Sequence, residues 1–229
     1  MKDNKDFWDK EYENPEHLAL SNEPSEDVKK FCRWIVRTYG ERHLNEKSKA
    51  LDVGCGNGRN LLYVHTEFKL QGVGFDISEE AVRQAKQASQ TTPLQFVVRS
   101  ITDPLPAEDE SVDLVIDSMS SHVLRKHERE AYRAELLRVL APQGLIFFKS
   151  FLLDDDAHAK RLLREHKADE EGGYIHPKLG VFEYVWTEEA IHDFFGAYFE
   201  ICKIEKSHLH RLYGKAFKRR TISVYLEKK

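Results

Sequence analysis

Residues 51–60 read LDVGCGNGRN, in which Gly54, Gly56 and Gly58 follow a short apolar run at alternate positions. Glycine adopts positive φ readily and lets a ligand approach the backbone where a side chain would obstruct it. The residues behind the glycines, NLLYVHTEF, have helical spacing, so the segment predicts a strand, a tight turn and a helix. The amide groups at the start of such a helix attract an anion or a carboxylate. The segment therefore predicts a ligand-binding turn in an α/β fold.

Strand-like and helix-like segments alternate along most of the chain. Further strands are predicted at LQGVGFDIS, LQFVVRS, VDLVIDS and GLIFFKSF, and helices at SEEAVRQAKQASQ and KHEREAYRAELLRVL. Several of these strands are too apolar for a solvated face, which indicates a parallel sheet covered on both sides. After a helix at TEEAIHDFFGA, the strands FEICKIEKSHL and RTISVYLEK have only a short basic connection, which is typical of an antiparallel pair.

Composition and charge exclude several classes of protein. With 229 residues and 41% hydrophobic content, the chain can bury a substantial core. A net charge of -4 provides no general attraction to nucleic acid. Without an apolar run of about 18 residues or a secretory signal, we expect no membrane association. Three widely spaced cysteines, Cys32, Cys55 and Cys202, indicate a reducing compartment, so we expect a cytoplasmic protein.

Asp76 ends the segment GVGFD, at the predicted end of the second strand. A carboxylate there can accept hydrogen bonds from both hydroxyls of a ribose. The nicotinamide fingerprint, G-x-G-x-x-G, needs a glycine at position 59. That position holds Arg59, whose side chain would crowd a helix packed close to a pyrophosphate. The spacing therefore disfavours a nicotinamide cofactor, while simple turn glycines remain the alternative to a binding site.

These segments resemble the motifs of class I S-adenosylmethionine-dependent methyltransferases. LDVGCGNGRN resembles the first motif and GVGFDIS the second, while VRSITDPLPAEDESVDLVIDSMSSHVL resembles the region of the third and fourth. LLRVLAPQGLIFFKS resembles the helix, Pro-x-Gly turn and fifth strand that follow. The likeness is close over residues 45–151 and looser over residues 187–228. It implies S-adenosylmethionine as the cofactor and an α/β fold with a Rossmann-like, open, mostly parallel seven-stranded sheet, helices on both faces and an antiparallel C-terminal hairpin.

The resemblance also implies contacts to the amino-carboxylate end, the ribose, the adenine and the sulfonium of the cofactor. In that order the residues are Gly54, Cys55 and Gly56; Asp76; Ile77, Ser100 and Ile101; and Asp117 and Ser118. Asp52 would brace either the glycine loop or the amino group of the cofactor. Many relatives carry an aspartate at the position of Ser100, so polar contact to the adenine amine could come from Asp103 instead.

FWDKEY, near the amino terminus, resembles a segment that precedes the core in several small-molecule methyltransferases. Trp8 and Tyr12 are four residues apart and face one side of a helix. This helix is either a flap that brings the Tyr12 hydroxyl to the cofactor carboxylate or a hydrophobic anchor. We therefore expect a single domain with four parts: a flap and helix (1–44), a cofactor-binding core (45–151), a lid insertion (152–186) and a C-terminal helix and hairpin (187–229).

Methyl transfer from a sulfonium depends mainly on alignment, and a base is needed only where the acceptor must lose a proton. His122, shortly after the fourth strand, is the candidate base, with a structural histidine as the alternative. The connection after the fifth strand is longer than usual in α/β units and should begin with a charged helix. Its aromatic, turn-rich second part is either a lid, with Tyr174, His176 and Tyr184 as candidate acceptor-binding residues, or a cluster that packs the insertion onto the core.

HRLYGKAFKRR, residues 210–220, is basic with interleaved aromatics. It could contact RNA phosphates or form a charged strand edge that resists aggregation, and the acidic chain favours the second interpretation. His208 and His210 share a strand face without a third ligand, so no metal site is predicted. We expect a methyltransferase acting on a small molecule. The alternatives are an RNA or protein methyltransferase and a cofactor-binding module without turnover. Nothing in the sequence indicates an oligomeric state.

Overall fold

The computed structural model describes residues 5–17, 20–208, 211–212, 215–216 and 219–229. In chain order these residues form α1 (Lys5–Glu13), α2 (Glu26–Tyr39), β1 (Lys49–Val53), α3 (Arg59–Phe68), β2 (Gln71–Asp76), α4 (Glu79–Ala88), β3 (Gln95–Val98), β4 (Val112–Ser118), a 3₁₀ turn (Ser121–Val123), α5 (Lys126–Val139), β5 (Leu140–Phe151), α6 (Ala157–Glu165), β6 (Gly173–Ile175), β7 (Phe182–Tyr184), α7 (Glu188–Phe195), β8 (Phe199–Lys206), β9 (Arg211–Leu212), β10 (Lys215–Ala216) and β11 (Thr221–Lys228).

Seven of the described strands form one sheet in the order β3-β2-β1-β4-β5-β11-β8. Strands β1 to β5 pair in parallel, whereas β11 is antiparallel to both β5 and β8. The predicted seven-stranded, mostly parallel sheet with an antiparallel C-terminal pair is therefore confirmed. Within the basic connection between β8 and β11, the described residues add a small antiparallel ribbon, β9–β10.

Helices cover both faces of the sheet, as predicted. On one face Phe31 of α2, Leu61 of α3 and Val82 of α4 belong to one buried cluster. On the other face Tyr132 of α5 and Phe195 of α7 belong to a second cluster. Side chains alternate along a strand, so the buried run of β1 supplies both clusters. Burial on both faces explains why this strand is nearly continuous in apolar residues.

The strand order reverses between β1 and β4, because β2 and β3 lie on one side of β1 while β4 and β5 lie on the other. The carboxyl ends of parallel strands open a crevice at such a reversal, and ligands bind there. At this end β1 leads into the glycine turn, β2 ends at Asp76 and β4 ends at Ser118. The fold therefore brings three separate motifs to one crevice.

Residues 152–186 contain the predicted charged helix, α6, followed by the antiparallel β6–β7 ribbon. The predicted turn-rich aromatic stretch thus contains two short strands. Ala159, Leu162, Tyr174 and Val185 form a small buried cluster of their own. The ribbon packs against the 3₁₀ turn that follows β4, so the insertion lies beside the carboxyl end of the sheet.

No helix in the described part of the chain is both long enough and apolar enough to cross a membrane.

Candidate active site

The glycine turn between β1 and α3 has the backbone conformation that its sequence predicts. Gly54, Gly56 and Gly58 have φ values of 58°, 56° and 78°, in the left-handed region that side chains disfavour. A Cβ on Gly54 would collide with the Ser120 side chain, and a Cβ on Gly56 would collide with the Tyr12 hydroxyl. The turn is therefore a bare backbone surface on which two positions have room only for hydrogen.

Asp76 joins the glycine turn to the end of β2. The Gly56 amide donates a hydrogen bond to Oδ2 at 2.9 Å, and the Ser78 amide donates to Oδ1 at 3.0 Å. Burial raises the pKa of the Asp76 carboxyl, and these amide hydrogen bonds oppose that rise. Each carboxylate oxygen has more than one acceptor site. Asp76 can therefore anchor the turn and still accept hydrogen bonds from two ligand hydroxyls.

Asp52 lies behind the turn with 1% of its surface exposed, and its Oδ2 has no hydrogen-bond partner among the described residues. Burial raises the pKa of this carboxyl to about 8; the negative charge of Asp76 adds to the rise, and a hydrogen bond from the Leu61 amide opposes it. Cys55 lines the same turn with a buried thiol. A buried polar atom without a partner is uncommon in folded proteins. The site therefore fits a ligand that brings a cationic amino group to Asp52.

Helix α1 docks on the start of α4. The Asp9 Oδ1 atom accepts hydrogen bonds from the Ser78 hydroxyl at 2.7 Å and from the Glu80 amide at 3.2 Å. The Gln84 side chain donates to the backbone oxygen of Tyr12 at 2.9 Å. These contacts place α1 over the glycine turn, where a flap would lie.

Tyr12 points its hydroxyl at Gly56, and burial raises the pKa of the phenol. Trp8, one turn earlier, is half-buried and meets Phe7 edge-on with the ring centres 5.1 Å apart. The structure brings the Tyr12 hydroxyl to the glycine turn, and the predicted role of this hydroxyl toward a cofactor carboxylate stays a prediction.

The residues predicted to border the adenine lie beyond β2 and β3. Ile77 and Ile101 are both partly exposed. The Ser100 and Thr102 hydroxyls are hydrogen-bonded at 2.7 Å, and the Asp103 carboxylate accepts from the Ser100 amide at 3.3 Å. Asp103 thus lies next to Ser100, the arrangement needed if Asp103 contacts the adenine amine in place of an aspartate at position 100.

Asp117 and Ser118 end β4, but they differ in surroundings. Asp117 is fully buried: its Oδ1 accepts from the Ser120 and Ser121 amides at 3.3 and 3.2 Å, and its Oδ2 accepts from the Tyr132 hydroxyl at 3.1 Å. Ser118 is partly exposed. In the described residues Asp117 shapes the loop after β4, which leaves Ser118 as the member of the pair with a surface open to a ligand.

His122 belongs to a buried polar cluster that joins the 3₁₀ turn to the lid insertion. Its Nε2 lies 3.8 Å from Oε1 of Glu183 on β7, and its ring meets Phe151 edge-on at 5.0 Å. The other oxygen of Glu183, Oε2, accepts hydrogen bonds from the Tyr174 hydroxyl and the Arg219 guanidinium. Burial opposes ionisation of Glu183, but contact with His122 and with the Arg219 charge lowers the pKa of this carboxyl to about 2.

The three predicted lid residues lie in different surroundings. Tyr174 is fully buried in the polar cluster. His176 accepts a hydrogen bond on Nδ1 from the Leu179 amide at 3.2 Å, and burial lowers the pKa of its imidazole. Tyr184 lies under the Arg129 guanidinium at 3.7 Å and lines a surface cavity of about 840 Å³ between α5 and α7. No residue of the glycine turn lines that cavity, so it is separate from the crevice at the strand ends.

Three residues of the site were not predicted from the sequence. The Ser120 hydroxyl donates to the backbone oxygen of Val53 at 2.7 Å and closes the loop after β4 onto the glycine turn. Glu183 and Arg219 complete the polar cluster around His122. Of these three residues, only Arg219 belongs to a segment with a distinctive sequence pattern, the basic residues 210–220. That pattern indicates contact with phosphate or a charged strand edge in solvent, and it does not indicate an ion pair with Glu183. His210 and Lys218 of the same segment lie outside the described residues.

Comparison with known proteins agrees with this geometry. The model of the family described as "Methyltransferase domain" matches residues 50–144. Over 168 residues the chain is 30% identical to a phthiotriol/phenolphthiotriol dimycocerosates methyltransferase of Mycobacterium ulcerans, covering 72% of this chain and 57% of the relative. It is 23% identical over 138 residues to a fatty-acid O-methyltransferase of Mycolicibacterium smegmatis, covering 60% of this chain and 49% of that relative. The chain thus spans about half the length of these curated relatives.

Among solved structures, a SAM-dependent methyltransferase from Methanosarcina mazei matches with a TM-score of 0.67 and 24% identity. The match covers 82% of this chain and 95% of the other, and it shows that the two share a fold. The motif order, the sheet topology and the family match agree on cofactor and class. Residues 50–144 therefore form a methyltransferase domain of the class I S-adenosylmethionine-dependent type, for which S-adenosylmethionine is the cofactor.

Proposed function

We propose that the protein transfers a methyl group from S-adenosylmethionine to a small-molecule acceptor. The supporting observation is the glycine-floored crevice between two buried carboxyl groups, those of Asp52 and Asp76, at the reversal of strand order. In this proposal Asp52 meets the amino group of the cofactor, and the bare backbone at Gly54 and Gly56 lies along its amino-carboxylate end. Asp76 accepts hydrogen bonds from the ribose hydroxyls.

S-adenosylmethionine supplies a methyl group that is already activated on a sulfonium. What remains for the protein is to align the acceptor with that methyl group and to keep water out, which can lower the barrier by roughly 7–11 kcal/mol at best. Helix α1 covers the glycine turn through Asp9 and Tyr12. The β6–β7 ribbon covers the loop after β4. Both elements flank the crevice and support an enclosed reaction.

Three observations support a small acceptor. The insertion after β5 packs against the carboxyl end of the sheet, where a small ligand can be enclosed. One of the relatives described above is named a fatty-acid O-methyltransferase. In the basic segment, Arg219 binds Glu183, and Arg220 donates to the Asp154 and Ser207 backbone oxygens. These two arginines are therefore occupied within the protein and present little charge to RNA phosphates.

The proposal is tested by incubating the protein with methyl-labelled S-adenosylmethionine and fractionated cell extract. We expect label in the small-molecule fraction. Tight cofactor binding without label transfer to any fraction would identify a cofactor-binding module. Label in the RNA fraction that ribonuclease releases, and whose transfer falls steeply as salt is raised, would identify the nucleic-acid alternative instead.

Binding geometry is tested separately with Asp76→Ala. Hydrogen bonds to a charged acceptor contribute about 1.5–3 kcal/mol each, so cofactor affinity measured by calorimetry should fall about ten-fold or more. Glu67→Ala, which removes an exposed carboxylate on α3, is the control and should bind normally. Unchanged affinity in a folded Asp76→Ala protein would remove the ribose assignment.

A further inference from the structure

Two arginines of α5 hold the acidic loop that precedes β6 in the lid insertion. Arg125 forms an ion pair with Asp169. One turn further on, Arg129 forms an ion pair with Glu170, whose other oxygen accepts a hydrogen bond from the Lys126 amide at 2.9 Å. Lys126 is the first residue of α5, where free amide groups favour a carboxylate. The loop is therefore fixed to the start of α5 by charge.

Both arginines also stack on aromatic rings of β7. The Arg125 guanidinium lies 4.0 Å from the centre of the Phe182 ring. The Arg129 guanidinium lies 3.7 Å from the centre of the Tyr184 ring. A planar guanidinium can bind a ring with its face and a carboxylate with its edge. These contacts join the ribbon as well as the loop to α5, and we call the six side chains the α5 clasp: Arg125, Arg129, Asp169, Glu170, Phe182 and Tyr184.

A second attachment holds the ribbon on the side of β11. Arg219 binds both the Glu183 carboxylate and the Tyr174 hydroxyl, and we call these three side chains the Arg219 attachment. Successive side chains of a strand point to opposite faces, so Glu183 points away from its neighbours Phe182 and Tyr184. The lid insertion is thus held from two sides by different faces of β7.

The α5 clasp is more exposed to solvent than the Arg219 attachment. In the clasp, 84% of the Asp169 side chain and 17% of the Glu170 side chain are exposed, against 3% for Glu183 in the attachment. Ion pairs near solvent are weak and are screened by salt, whereas a buried pair is costly to break. The clasp is therefore expected to release first.

The lid insertion can move as a unit because it has a small core of its own. Its buried apolar side chains form a cluster separate from the two clusters of the sheet: Ala159, Leu162, Tyr174 and Val185. At its two ends, Leu152 and Trp186 pair as a parallel bridge and belong to a cluster of the sheet, which forms a closed neck. The contact of Glu183 with His122 on the 3₁₀ turn, at 3.8 Å, is longer than a hydrogen bond. A segment with few buried apolar contacts outside itself opens at a lower free energy than the sheet.

We propose that the lid insertion opens at the α5 clasp while its neck and the Arg219 attachment act as the hinge, and that this opening admits the methyl acceptor. The second part rests on the proposed methyl transfer. The ribbon covers the 3₁₀ turn after β4, and the Ser120 hydroxyl directly before that turn binds the glycine turn. Movement of the ribbon away from α5 therefore uncovers the loop that borders the cofactor crevice.

Opening is tested by hydrogen exchange of two backbone amides, followed by NMR. The Leu124 amide donates to the Ser121 oxygen within the covered 3₁₀ turn. The Trp186 amide donates to the Phe151 oxygen at the neck. Salt screens the exposed ion pairs of the clasp, so raising it from about 0.05 M to about 1 M should speed exchange at Leu124 and leave Trp186 unchanged. This measurement needs no variant. Salt-independent exchange at Leu124, or equal acceleration of both amides, would overturn the hinged opening.

The clasp is tested directly with Glu170→Gln, which removes the charge that binds Arg129. Because hydrogen bonds between charged groups are the strong ones, exchange at Leu124 should speed about ten-fold or more, with Trp186 unchanged. Glu171→Gln makes the same charge change at the next residue, an exposed carboxylate, and should match the wild-type protein. Equal exchange at Leu124 in folded Glu170→Gln and Glu171→Gln proteins would show that the clasp does not hold the lid.

Entry of the acceptor is tested by the initial rate of label transfer to the small-molecule fraction when the extract is limiting. Apparent affinity rises with the open fraction, so Glu170→Gln should transfer label about ten-fold faster than the wild-type protein or Glu171→Gln. Equal rates, in a Glu170→Gln protein whose Leu124 amide exchanges faster, would show that the acceptor enters elsewhere. Absence of transfer in all three proteins would contradict methyl transfer itself, while the exchange result would still test the lid.

Discussion

Two properties of Asp52 couple cofactor binding to proton release. Its Oδ2 is buried without a partner in the described residues, and its pKa is raised to about 8. At pH 7 the carboxyl is therefore neutral in the free protein. A cationic amino group bound beside it would favour the ionised form and lower that pKa. We expect cofactor binding at pH 7 to release up to about one proton. Calorimetry in buffers of different ionisation enthalpy measures this release.

Asp52→Asn is the matched control, because the amide has the same shape and cannot titrate. It should bind with a heat that does not depend on the buffer. Asp52→Asn also reports on the free energy of unfolding. Because the pKa of Asp52 is raised in the folded protein, its carboxyl stabilises the fold fully below pH 3.8, and this contribution is lost as pH rises to about 8. Buffer-independent heats in the wild-type protein would contradict the placement of the amino group at Asp52.

For single residues, the sequence predicts best those contacts that join residues at a fixed separation within one structural unit. Gly56 and Asp76 are 20 residues apart, a separation that one β-α-β unit fixes, and their amide–carboxylate bond follows from that unit. His122 and Glu183 are 61 residues apart on elements with no fixed spacing, so no sequence pattern indicated their contact. An aromatic residue such as Tyr174 can face a pocket or a polar cluster with the same strand pattern, because alternation does not identify the neighbour.

Among the elements, α1 depends on few contacts for its position over the glycine turn. Asp9 accepts two hydrogen bonds from the start of α4, and their loss should cost about 1.5–3 kcal/mol or more of docking free energy. We expect Asp9→Ala to speed cofactor dissociation by about ten-fold, measured by stopped-flow fluorescence, because the flap opens more often.

Asp6→Ala is the control for α1, since Asp6 is an exposed carboxylate on the same helix. It changes the charge of the helix equally but removes no docking contact in the described residues. Equal dissociation rates for Asp9→Ala and the wild-type protein would show that α1 only anchors the terminus. Sequence spacing identified this helix but not its docking site, because docking depends on the Ser78 cap of a helix some 70 residues away.

For the whole molecule, protonation of Glu183 makes the free energy of unfolding depend on pH in the acid range. Its folded pKa of about 2 lies below the ordinary value of 4.5, so the ionised form stabilises the folded protein at neutral pH. That contribution, on the order of 3 kcal/mol, is lost as pH falls from about 4.5 to about 2. The difference in unfolding free energy between the wild-type protein and Glu183→Gln should therefore shrink across this window in denaturant titrations. Parallel curves would mean that Glu183 has an ordinary pKa.

The position of β11 between β5 and β8 also affects how the chain is made. Strands β1 to β5 find their neighbours as synthesis proceeds, because each pairs with a strand of the same parallel block. Strand β8 emerges from the ribosome before the strand that joins it to the sheet has been translated. Until β11 appears, β5 and β8 both present unpaired backbone groups, the kind of edge that recruits other chains. The nascent protein is therefore most exposed to aggregation and to chaperones in the interval between the synthesis of β8 and that of β11.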